Sequence, residues 1–137
     1  MDEWTGIADA DRHLGRPVPL PTAVLPLVRW VEVRPISDVA VEIEWNLDDT
    51  REGSRGRLAL YAGHAPPPDR PWEVEAAVVD VGRERGEHRE LPLEEAEAPL
   101  RPAHEVRWQA DGLHLRLTAQ GPWELEELLA IGASLRA

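Results

Sequence analysis

The stretch HEVRWQADGLHLRLT, residues 104–118, alternates apolar and polar side chains on both sides of Asp111-Gly112. An Asp-Gly pair between two such runs favours a two-residue hairpin turn. With this turn, three apolar pairs share one face: Ala110 with Leu113, Trp108 with Leu115, and Val106 with Leu117. A shift of one residue would separate all three pairs, so the sequence predicts an antiparallel hairpin with a fixed register.

The opposite face of this hairpin carries charge. The same register places Arg107 opposite Arg116 and Gln109 opposite His114, and like charges facing each other destabilise a sheet. Two interpretations are open. Glu105, or glutamates of an adjacent strand, offset the arginines within the domain. Alternatively, Arg107, Arg116, His114 and Gln109 bind an anionic group on a protein partner, since arginine forks suit carboxylates.

Further strands are indicated on both sides of the chain centre. Residues 39–47 alternate cleanly, with Val41, Ile43 and Trp45 on one face and glutamates on the other. Shorter strands are predicted at 27–34, ending before Pro35, and at 57–62 and 72–81. The polar segment 82–103 offers at most a short strand near 88–93. Together these predict a twisted antiparallel sheet of about five or six strands.

The chain is predicted to end in a helix that packs on one face of this sheet, which makes the fold class α+β. Its apolar residues share one stripe at helical spacing: Leu125, Leu128, Leu129, Gly132 and Leu135. Trp123 and Leu128 are spaced for a hydrophobic staple with Glu124 as the N-cap.

The domain organisation follows from length and composition. The 137 residues suit one domain, and 42% of them are hydrophobic. Residues 1–26 are polar and then proline-rich, and are interpreted as a lead-in. Residues 27–137 are interpreted as the single α+β domain.

The charge and composition exclude several function classes. A net charge of −11 repels phosphate backbones, so nucleic-acid binding is not expected. No apolar stretch is long enough to span a bilayer, so membrane insertion is not expected. The acidic start, Met1-Asp2-Glu3, is unlike a signal peptide, which places the chain as written in the cytoplasm. The absence of cysteine excludes disulfides and thiolate sites.

No catalytic, metal or cofactor site is predicted. The serines lie outside any nucleophile motif, and the five histidines lack metal-ligand spacing. Asp48-Asp49 lies in a loop whose spacing misses that of a calcium-binding loop, so tight calcium binding is not expected. The six tryptophans either fill the core or line a ligand pocket.

The C-terminal sequence PWELEELLAIGASL, residues 122–135, resembles the closing signature of a bacterial family. That family is a domain of unknown function in the ectodomains of anti-sigma-factor-like membrane proteins and lipoproteins. The hairpin around Trp108 and the Gly/Pro-rich residues 14–21 are similar to other parts of it. Glu124 replaces the usual Ser or Thr, and Gly132 replaces Ala. The resemblance implies an extracytoplasmic interaction domain, excised from a longer protein, with no established catalytic residues.

Three functions are therefore compared. The first hypothesis is a non-enzymatic sensing or protein-interaction domain, which a filled core and one flat polar sheet face would favour. The alternative is a small-ligand carrier, which an apolar pocket between helix and sheet would favour. The third is a carboxylate enzyme, which would need carboxylates about 5–10 Å apart in a cleft.

Overall fold

The structure is a computed structural model that describes residues 6–25, 28–47, 56–68, 75–90, 103–121 and 123–137. Its helices are α1 (Ile7–Leu14) and α2 (Leu125–Ala133). Its strands are β1 (Leu20–Pro21), β2 (Val28–Ser37), β3 (Ala40–Leu47), β4 (Gly56–Gly63), β5 (Ala77–Val81), β6 (Glu84–Glu90), β7 (Ala103–Ala110), β8 (Leu113–Gln120) and β9 (Leu135–Arg136). The predicted α+β class, with an antiparallel sheet and a C-terminal helix, is confirmed.

The main sheet has the strand order β2-β3-β4-β8-β7-β6-β5, and every neighbouring pair is antiparallel. Two meanders, β2–β4 and β5–β8, join along a central seam between β4 and β8. Strands β1 and β9 form a separate two-stranded sheet. Seven described strands in the main sheet exceed the predicted five or six.

Strand β6 shows why the number was underestimated. Its sequence is ERGEHRE, so charge hides the alternation that marks a strand. Its central inward position is Gly86, where an added Cβ would lie 2.7 Å from the Arg107 carbonyl oxygen and 3.2 Å from Trp108 Cβ. The absence of a side chain there lets β7 and Trp108 approach closely, and it removes the apolar signal from the sequence.

The β7–β8 hairpin has the predicted register. Ala110 pairs with Leu113, Trp108 with Leu115, and Val106 with Leu117. Asp111 and Gly112 form the turn with φ values of 53° and 77°, the left-handed backbone that a type I′ turn requires.

One face of the sheet carries the core, and both helices pack into it. Its largest fully buried apolar side chains are Val41, Ile43, Leu47, Leu58, Leu60, Val106, Leu113, Leu117 and Leu128. Helix α1 contacts β2 and β3, whereas α2 contacts β5, β7 and β8. We call this apolar, helix-covered side the inner face and the opposite side the outer face.

Helix α2 begins as predicted. Glu124 is the N-cap, and its backbone N–H donates to Glu127 Oε1 at 3.0 Å. Leu128 is buried, and Leu125 and Leu129 are half-buried. A Cβ added to Gly132 would lie 2.9 Å from Val81 Cγ1, so the helix backbone approaches the sheet closely at this glycine.

The N-terminal segment, predicted to be a lead-in, contributes to the core. Ala10 and Leu14 of α1 are buried together with Val18. Ile7, Ala10 and Leu14 have helical spacing, but the charged residues between them obscured it. Residues 7–25 therefore belong to the same packed unit as the sheet.

Two strands at the sheet edges differ from prediction. Strand β2 continues through Pro35 to Ser37. A proline is tolerated there because β2 is an edge strand, where a missing N–H need not break the ladder. In β5, Val81 is buried and Val78 is exposed, and residues 75 and 76 of the predicted strand lie outside it. Residues 72–74 of that predicted strand lie outside the described residues, as does the loop 48–55 with its calcium prediction.

Within the described ranges, neither helix has the length and apolar content that crossing a membrane requires.

Candidate functional site

An apolar cleft lies between the N-terminal end of α1, the segment around β1, and the edge of the sheet at β2 and β3. Its volume is about 680 Å³. Its apolar walls are formed by Ile7, Leu20, Leu25, Val31, Val33 and Trp45. We call this space the α1–β2 cleft.

The register of β2 on β3 builds the floor of the cleft. Val31 pairs with Trp45 and Val33 with Ile43, so both valines point to the inner face. Because no described strand lies beyond β2, Val31 remains 45% exposed despite facing inward. The edge of the sheet thus leaves the apolar floor open to a ligand.

The opposite wall is held by the C-terminal end of the chain. Leu20 and Pro21 of β1 pair with Arg136 and Leu135 of β9. Next to this pair, the Thr22 hydroxyl donates to the Ser134 carbonyl oxygen at 2.7 Å, and Ala23 N–H donates to Ser134 Oγ at 3.1 Å. These contacts fix the segment that carries Leu20 and Leu25.

Charged groups border the cleft at Glu32 and Arg34. The Arg34 guanidinium donates to Glu42 Oε1 at 2.6 Å and to Glu44 Oε1 at 3.1 Å. Its charge is thereby directed toward the outer face of the sheet. The described cleft thus offers mainly aliphatic and aromatic surface, within the size range of pockets that take small molecules.

The residues predicted to bind a partner lie together on the outer face. Arg107 pairs with Arg116 and Gln109 with His114, as the register predicted. Their side chains belong to adjacent strands at the centre of the sheet, so the structure does bring the four residues together. Partner binding by them remains a prediction.

Carboxylates of the same face engage both arginines. Arg107 Nε lies 3.1 Å from Glu105 Oε2, and an Arg116 NH2 group lies 3.3 Å from Glu42 Oε2. The Arg116 guanidinium also lies over the Tyr61 ring, 5.3 Å from its centroid. The like-charge contact is therefore offset within the domain, by Glu105 as the first interpretation of the hairpin expected, and by Glu42 of β3, which β4 separates from β8.

Two histidines that are distant in the sequence meet on the inner face. His88 Nε2 and His104 Nδ1 are 3.0 Å apart, while their ring centroids are 5.2 Å apart, so these nitrogens point toward each other. The contact arises because Glu90 pairs with His104 and Val106 with His88. No spacing in the sequence indicates the contact between the two histidines, because it depends on the register of β6 on β7.

Burial lowers the pKa of both histidines. The neighbouring His104 lowers the pKa of His88 further, and Glu90 opposes this. For His104, Glu90, Glu124 and the Trp123 backbone oppose the effect of burial on the pKa. A hydrogen bond between two imidazoles requires one donor and one acceptor, so at least one ring must be neutral. Across the described part of the chain, no three His, Asp or Glu side chains are grouped to hold a metal ion.

The histidine pair makes stability dependent on pH. Because both folded-state pKa values are lowered, the unfolded chain binds more protons near the ordinary histidine pKa of about 6.5. The contribution of the neutral histidine pair to stability is complete above the ordinary histidine pKa. It is lost as pH falls through the lowered pKa values of the folded state. We expect the free energy of unfolding, measured with urea, to decrease from about pH 7.5 to about pH 5.5.

The control for this prediction is His88→Gln, which keeps a hydrogen-bonding group beside His104 but removes one titrating ring. The decrease in stability over the same pH range should be smaller in this variant than in the natural chain. Equal pH dependence in the two proteins would contradict the assignment to the histidine pair.

Comparison with models of known protein families, with characterised proteins and with solved structures finds no match to this chain. The resemblance to the ectodomain family therefore remains a prediction.

Proposed function

We propose that this protein is a non-enzymatic binding module that holds a small apolar molecule in the α1–β2 cleft. The observation that carries the proposal is the cleft itself, a space of about 680 Å³ walled by apolar side chains. The small-ligand carrier was expected to have its pocket between the C-terminal helix and the sheet, whereas this cleft lies beside α1, a helix that was not predicted from the sequence.

The chemistry of the walls indicates the class of ligand. Ile7, Leu20 and Leu25 face Val33 and Trp45 across the cleft, which favours an aliphatic or aromatic molecule over a charged one. A ligand of about 20 heavy atoms at about 0.3 kcal/mol per atom would bind with about −6 kcal/mol, a Kd of tens of micromolar. Such a ligand would mainly displace water from apolar surface.

The first hypothesis, a sensing or protein-interaction domain, has weaker support from the residues predicted to bind a partner. Arg107 and Arg116 are largely buried, and each contacts a glutamate of the outer face. Binding an anionic partner group would require these ion pairs to rearrange. Glu42 and Glu44, two carboxylates of the outer face, likewise both contact Arg34, which weakens their case as a carboxylate enzyme site.

Titration with 1-aminoanthracene, a neutral aromatic fluorophore, tests the proposal. We expect saturable fluorescence enhancement with a Kd of tens of micromolar, which for the roughly 15 heavy atoms of this probe corresponds to about 0.4 kcal/mol per atom. Val31→Glu should raise this Kd at least about tenfold, equivalent to about 1.4 kcal/mol, because it places a carboxylate in the apolar floor. Val31 is already partly exposed, so the variant should remain folded.

The matched control is Val78→Glu, which makes the same substitution on the opposite edge strand, where the valine is 70% exposed. This variant should bind the probe like the natural chain. Absence of saturable binding, or equal loss in both variants, would overturn the proposal.

A further inference from the structure

Strand β2 forms one edge of the main sheet, and among the described strands only β3 pairs with it. Three of its large apolar side chains are unusually exposed: Trp30 at 45%, Val31 at 45% and Ile36 at 40%. A long edge strand with exposed apolar residues is a template for pairing with another strand. The opposite edge, β5, spans only five residues, Ala77–Val81.

The residue types along β2 are symmetric about Val33. Antiparallel pairing of two copies with a twofold axis at Val33 places Glu32 of one copy opposite Arg34 of the other. It also places Trp30 opposite Ile36, beside the two points where β2 shifts register on β3, and Val31 opposite Pro35, which has no N–H to donate. Opposite charges and apolar pairs directly across a strand interface each stabilise pairing.

Charge selects this register over its neighbours. Moving the twofold axis by one residue in either direction would place Glu32 opposite Glu32, or Arg34 opposite Arg34, and like charges directly opposite are unfavourable. A slip that displaces one strand by a single residue would instead set outer-face residues against inner-face residues. Only the axis at Val33 pairs both charges with their opposites.

We propose that the protein forms a homodimer by antiparallel pairing of the β2 strands of two copies about Val33, which joins their sheets into one. Such an interface is isologous, because the same surface serves both copies. The second β2 strand would lie along the open side of the α1–β2 cleft. Pairing depends on the strand edge and not on a ligand. The dimer and the proposed ligand binding are therefore independent, and either can be wrong without the other.

Sedimentation velocity over about 1–200 µM protein tests the association, a range suited to weak interfaces. We expect a concentration-dependent dimer. Glu32→Arg should weaken dimerisation at least about tenfold, because it creates two like-charge pairs with Arg34. Asp80→Arg, the same type of charge change on β5, is the matched control and should leave dimerisation unchanged.

The natural absence of cysteine allows the register to be tested directly. Val33→Cys places two thiols opposite each other across the twofold axis, within the Cα separation of about 4.4–6.8 Å that disulfides span. Mild oxidation should link this variant into dimers, whereas Val31→Cys, which faces Pro35 in the partner, should cross-link much more slowly. A chain that stays monomeric throughout the concentration range, or equal cross-linking of the two variants, would overturn the proposal.

Discussion

Replacing Leu128 with alanine is expected to lower the free energy of unfolding by about 2–5 kcal/mol, the cost of a large-to-small change in a packed core. Leu128 is only 1% exposed and belongs to the same core cluster as the sheet residues. The neighbouring approach of Gly132 to Val81 and Trp108 holds the helix backbone near the sheet. A cavity at residue 128 can therefore close only by moving the helix as a whole.

Urea unfolding followed by far-ultraviolet circular dichroism measures this loss. Glu126→Ala, an exposed change on the same helix, is the matched control and should alter stability by no more than about 0.5 kcal/mol. Hydrogen exchange adds an independent readout. If the amides of residues 125–133 exchanged freely while the central strands were protected, the docking of α2 would be refuted.

Glu105→Gln should lower the free energy of unfolding by about 3 kcal/mol, because it removes the charge of one partner in a buried ion pair. The Glu105 side chain is 1% exposed, and its two carboxylate oxygens lie 3.1 and 3.3 Å from the Arg107 guanidinium. The substitution keeps the shape of the side chain and removes its charge, so the loss reports mainly on electrostatics.

The adjacent strand offers a matched control for Glu105. Glu87 and Arg89 form an ion pair at 2.9 Å with the same spacing along β6, but the Glu87 side chain is 55% exposed. Glu87→Gln should therefore cost at most about 1 kcal/mol, as exposed ion pairs do. Equal losses at the two sites would show that burial of Glu105 does not strengthen its contribution.

The parts of the fold that the sequence predicted depend on local patterns. The Asp111-Gly112 turn fixes the pairing of residues close to it, and the stripe around Leu128 lies within one helix. Those contacts need no knowledge of distant segments. The outer-face position of Arg107 opposite Arg116 followed directly from the same turn.

The candidate site was not predictable because its parts come from distant segments. Leu20 and Val33 belong to separate elements, and their meeting depends on the packing of α1 and the pairing of β1 with β9. The His88–His104 contact depends on a strand whose apolar position is occupied by Gly86. The cleft and the histidine contact both depend on how distant segments pack, and the local sequence pattern does not contain that information.

The pairing of β1 with β9 also bears on the order of events during protein synthesis. Leu20 and Pro21 leave the ribosome early, but their partners are Leu135 and Arg136. At about 5–20 residues per second, β9 is translated several seconds after β1. During that time the segment that forms this wall of the cleft lacks its strand partner. The cleft can therefore reach its final form only after the segment that contains Leu135 and Arg136 has been synthesised and has left the ribosome.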